Sequence, residues 1–100
     1  MPVSLAHSVI AHVGSPLTIP LRNSDSEQVQ VSLRVLIAGA PRAIVRAYST
    51  REPAERLSVW LEGPAVTAVE IKEAWGQSDD QGKQLEIEVD GAVKATTVVQ

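Results

Sequence analysis

Gln28 to Ile37 reads QVQVSLRVLI, and its alternation constrains the fold more than any other stretch of the chain. Val29, Val31, Leu33, Val35 and Ile37 fall on one side of an extended strand, because successive side chains point to opposite faces. Gln28, Gln30, Ser32 and Arg34 fall on the other. One residue breaks the rule: Leu36 sits among the polar positions. The pattern predicts a strand buried on one face, with a hint at Leu36 that the other face is also covered.

The rest of the chain extends this reading. Turn signals recur at short intervals: Gly14-Ser15-Pro16, Asn23 to Ser26, Gly39-Ala40-Pro41, Glu52-Pro53, Gly63-Pro64, Ser78 to Gly82 and Asp90-Gly91. Short runs rich in branched aliphatics lie between them, and such residues suit a pleated surface. Strands are predicted over 8–13, 17–22, 28–38, 42–49, 57–62, 66–75, 84–90 and 93–99. Regular short strands with turn punctuation indicate an all-β, antiparallel β-sandwich of about seven to eight strands, immunoglobulin-like or jelly-roll. One hundred residues suffice for one core, so 1–100 reads as a single domain, with 1–13 as an N-terminal arm or edge strand.

Two places pull in opposite directions. Pro64 to Trp75 has proline where a first helical turn tolerates it and Gly76 where a helix would stop, yet its all-β surroundings favour a strand. At the C-terminus, Asp90-Gly91 is a favoured two-residue turn, but that loop would mix the two faces of the hairpin. A three-residue loop, Asp90 to Ala92, would set Val89 opposite Val93, Glu88 opposite Lys94 and Ile87 opposite Ala95. An odd-length loop or a bulge is therefore expected.

The polar residues form no recognisable catalytic or metal-binding pattern. There is no cysteine, hence no disulfide, thiolate ligand or thiol nucleophile. His7 and His12 stand five apart without a metal-binding motif, and no Gly-x-Ser-x-Gly turn or glycine-rich phosphate loop occurs. Glu86, Glu88 and Asp90 line one strand face, as an alternating wet face does without catalysis. Loops 23–27 and 78–82 carry oxygen ligands but not the twelve-residue calcium pattern. The expectation is a protein that is not an enzyme, with no cofactor and no metal.

The formal net charge of −3 argues against nucleic acid as a partner, since duplex binding needs a basic footprint. No apolar run approaches the ~20 residues of a membrane helix, and the N-terminus lacks a signal-peptide pattern. A cytoplasmic or virion location is expected, with no membrane partner. Charge is uneven: Arg34, Arg42, Arg46 and Arg51 occur with no acid between them, whereas residues 57–100 hold three lysines against eight carboxylates. Such halves could meet on neighbouring copies.

Leu36 is not alone on the wrong face. In Leu57 to Glu62, Leu57, Val59 and Leu61 share the core side while Trp60 lies opposite. In Arg42 to Ser49, Ile44 and Tyr48 fall with Arg42 and Arg46, opposite Ala43, Val45 and Ala47. Tryptophan, tyrosine and arginine are enriched at interfaces and at their energetic centres. Leu36, Arg42, Ile44, Arg46, Tyr48 and Trp60 are thus the candidate interface. A bulge that turns Trp60 inward, or Val3 to Val13 folded over this face, would remove it. The expected function is a structural or assembly protein acting through protein–protein contacts with itself or a larger assembly, of the kind that serves as virion cement or decoration. A carbohydrate- or small-ligand-binding module, stacking on Trp60 and Tyr48, is the alternative.

Overall fold

The structure, a computed structural model, describes residues 2–42, 56–71 and 80–100. Within them the chain forms β1 (Val3–Leu5), β2 (Leu17–Asn23), β3 (Gln28–Ile37), β4 (Ala40–Arg42), β5 (Leu57–Glu62), β6 (Val66–Ile71), β7 (Gln84–Val89) and β8 (Ala92–Val98). All pairings are antiparallel. One sheet has the order β1-β2-β6 and the other β4-β3-β7-β8, with β5 on the same edge of β3 as β4. Two sheets share one core, so the protein is a β-sandwich.

The alternation of β3 explains how that core is made. Val31, Leu33, Val35 and Ile37 are buried, and they meet Leu17, Ile19 and Leu21 of β2 and Leu85, Ile87 and Val89 of β7. The strand order is the immunoglobulin-like one, three strands facing a sheet built on β3, β7 and β8. The jelly-roll form does not fit. There, successive strands mostly change sheets, whereas here β1 and β2, β3 to β5, and β7 and β8 each stay in one sheet.

The expected strand over 8–13 does not form, and Pro20 supplies a reason. Ala6 N–H donates to the Pro20 carbonyl at 3.0 Å, so Pro20 turns its main chain toward β1. Having no N–H, it returns no bond, and the pairing ends there. The freed segment crosses to the other sheet, burying Val9 and Ala11 on the way. It ends against the C-terminus, where Gln100 N–H donates to the Ala11 carbonyl and Val13 N–H to the Gln100 carbonyl, both at 2.9 Å. Elsewhere the expected bounds hold closely and 57–62 matches without change, except that Ala40 and Pro41, read as part of a turn, already pair with β3, so β4 starts two residues before the expected 42. Val66–Ile71 is a strand, not a helix. Most of the expected strand 42–49, and the end of 66–75, lie outside the described residues.

The C-terminal hairpin resolves its conflict by satisfying both demands. Asp90 and Gly91 form a two-residue turn with φ of 50° and 85°, so the three-residue loop is overturned. A bulge between Ile87 and Glu88 then sets Ile87 opposite Ala95, keeping Leu85, Ile87 and Val89 on the core side. Asp90 also extends the sheet beyond β7. Its N–H donates to the Ser32 carbonyl and its Oδ1 accepts from Ser32 N–H, each at 2.9 Å. Asp90→Ala should cost about 1–3 kcal/mol through the lost acceptor and the positive φ, whereas Asp90→Asn, which keeps both features, should stay near wild type. Urea unfolding midpoints of the two variants check this.

The β3–β4 hairpin is less well matched to its turn. Ile37 pairs with Ala40, leaving Ala38 and Gly39 as a two-residue loop with φ of 52° and 82°. Such turns favour Asn-Gly, and a non-glycine residue with a Cβ is strained at the first position. Ala38→Asn is therefore expected to stabilise by about 0.5–1 kcal/mol. A thermal melt should show Tm rising by a few degrees.

Candidate functional site

The outer face of the larger sheet is assembled from the even positions of β3 and their partners. Register places Gln28 opposite Glu62, Gln30 opposite Trp60 and Ser32 opposite Ser58 on β5. Toward the other end, Arg34 stands opposite Glu88, and Leu36 between Glu86 of β7 and Pro41 of β4. Trp60 keeps the phase expected of it: Leu61 is buried, Leu57 and Val59 are half-buried, and the Trp60 ring is 56% exposed. No bulge turns it inward. The N-terminal segment runs along β2 and the C-terminal end of β8, so it does not cover this face.

The candidate residues do not all come together. Leu36 and Trp60 share the face, but six residues of β3 separate Leu36 from Gln30, the partner of Trp60, a distance of roughly 20 Å. Leu36 is half-buried beside polar neighbours, and Trp60 is the exposed member of the pair. Arg42 falls on the other side. The two-residue turn at Ala38-Gly39 sets Arg42 opposite Val35, in the phase of the core residues, and not with Leu36. Its Nη1 donates to Asp80 Oδ2 at 2.7 Å, and Lys83 Nζ lies 3.7 Å from the other oxygen of this buried carboxylate. Ile44, Arg46 and Tyr48 lie outside the described residues.

Of the four arginines that could meet acidic groups on neighbouring copies, Arg34 and Arg42 are engaged within the chain, and Arg46 and Arg51 lie outside the described residues. Arg34 lies 3.9 Å from Glu88, and Arg42 is tied to Asp80. Glu88 was expected to face Lys94, but the bulge puts Val93 there instead. That shift also exposes an apolar residue that the expected register hid. Paired with Val89, Val93 would have faced the core; paired with Glu88, it is 51% exposed on the outer face. Val98, in the same phase as Thr96, is 53% exposed.

The candidate calcium loop at 23–27 spends its polar groups on itself. Asn23 is buried; its amide donates to the Glu27 carbonyl at 2.7 Å and its Oδ1 accepts from Asp25 N–H at 3.0 Å. Asp25 Oδ1 in turn accepts from Ser26 N–H. Of loop 78–82, Asp80 is held by Arg42 and Lys83, and 78–79 lie outside the described residues. His7 and His12 are both exposed. Comparison of the sequence with protein-family models and with curated proteins returns no match. The functional reading therefore stands on geometry.

Proposed function

We propose that the chain is a non-catalytic structural or assembly protein that works through protein–protein contacts, chiefly with further copies of itself, as a cement or decoration subunit of a virion would. One observation carries this reading: Trp60 stands on a regular strand, phase-locked outward and more than half exposed. A tryptophan held on a rigid strand loses little freedom on binding, and burying it contributes a large share of an interface's energy. The experiment is native mass by light scattering for wild type and Trp60→Ala; self-association that the variant weakens supports the proposal.

A second reading has its own observation. Gln30 faces Trp60 across the strands, and beside it Gln28 Nε2 donates to Glu62 Oε1 at 2.8 Å. An aromatic ring rimmed by amides and a carboxylate also suits a sugar, which stacks on the ring and bonds its hydroxyls to the rim. Quenching of Trp60 fluorescence by saccharides, with an unchanged single-chain mass, favours this alternative.

A further inference from the structure

β8 has an outer rim that is open for part of its length. Val99 N–H donates to the Lys83 carbonyl, so Val99, and in the same phase Thr97 and Ala95, turn their main chain toward β7. The N–H and C=O of Thr96 and Val98 therefore point away from the sheet. At the far end this rim is covered, because Gln100 is bonded to Ala11 and Val13. Before Ala11 the arm stands off, and an open groove of about 740 Å³ separates Leu5–Ile10 from Lys94–Thr97. Among the described residues no main-chain group bonds the outward groups of Thr96 and Val98.

Edge strands are ordinarily guarded by charge, proline or a bulge. β8 has a bulge and Lys94 at its start, but Ala95 to Gln100 reads ATTVVQ, without charge, proline or glycine. Four consecutive β-branched residues favour the extended chain. Val93 and Val98 add exposed apolar surface on the same strand.

We infer that this rim pairs over Lys94–Val98 with β8 of a second copy, antiparallel about a two-fold axis through Thr96. This register sets Ala92 of the second copy opposite Gln100, so Ala11–Val13 gives up its bonds to Gln100 on pairing. Thr96 then exchanges both main-chain hydrogen bonds with Thr96 of the second copy. Lys94 falls opposite Val98, so no like charges are opposed, and the even spacing keeps outer side chains on the outer face. The same patch serves on both copies, as a closed two-fold contact requires. Two five-stranded sheets become one of ten strands, with both Trp60 rings on the same side. The inference rests on the self-association proposed above and names the strand that completes it.

Thr96→Pro tests it. The Thr96 N–H points outward, so proline there removes no bond to β7. Thr96→Lys is the second variant, placing like charges opposite each other while leaving the backbone unaltered. Wild type should show about twice the 10.7 kDa of one chain, and both variants should fall to one chain that unfolds thermally as wild type does at dilutions where it too is a single chain. Amide exchange at Thr96 and Val98 should be slow in concentrated wild type and fast on dilution. If both variants keep the wild-type mass while Trp60→Ala loses it, the strand pairing is overturned and the face reading survives. If Trp60→Ala keeps the mass and the Thr96 variants lose it, the pairing stands and the face reading falls. A single-chain wild type overturns both.

Discussion

Leu33→Ala is expected to lower unfolding stability by about 3–5 kcal/mol. Leu33 is fully buried on the central strand of the larger sheet, where it pairs with Leu57 on one edge and Val89 on the other. Neighbours fixed by two ladders cannot move far to fill the space, so the lost contact remains as a cavity. A domain of this size has about 5–15 kcal/mol in total, so the variant should stand near the edge of folding. Leu36→Ala is the informative partner. Three residues further on, on the outer face and half-buried, it should cost about 1 kcal/mol. Urea midpoints that fell equally for both would contradict the assignment of faces.

Trp60→Ala is expected to act almost entirely on association. A central interface tryptophan contributes about 2 kcal/mol or more, which corresponds to a dissociation constant raised about 30-fold. Its effect on the fold should be small, because the ring is more than half exposed and its cross-strand partner is Gln30. Sedimentation or light scattering across a dilution series gives the first quantity and urea unfolding the second. A variant that associates as wild type does would show that Trp60 is merely a solvated residue. One that loses much stability would show that the ring packs against its own chain.

Periodicity made the sandwich legible. A period of two over Gln28–Ile37 and Leu57–Glu62 can be satisfied only by strands with one face in the core, and both formed at the expected bounds, with β3 ending at Ile37 and not one residue later. What escaped was register, which depends on local backbone geometry that a hydrophobic pattern does not record. At Ala38-Gly39 a turn with two positive φ values set Arg42 opposite Val35, and so removed it from the face of Leu36. At Ile87/Glu88 the bulge carried Val93 outward. The cue for that bulge was present in the conflict between the Asp90-Gly91 turn and the face pattern, which called for an odd-length loop or a bulge; of the two, the chain uses the bulge and keeps the two-residue turn.

The arm was misread for a related reason. VIAHV in residues 9–13 has strand-like composition, but the pairing it would need along β2 is closed off by Pro20, eight or so residues away in the chain and beside it in space. The candidate interface was legible only residue by residue. Trp60 was placed on the correct face by alternation alone. Its distance from Leu36 followed from which residue of β3 each one meets, and that is a property of pairing between strands.

We propose that the wet face and open rim of the larger sheet are covered by another copy of the chain. Native mass by multi-angle light scattering, followed from low to high micromolar concentration, tests this most directly. The claim predicts a mass of about two chains or more at the upper end, declining toward 10.7 kDa on dilution. A mass that stays at 10.7 kDa throughout would contradict it.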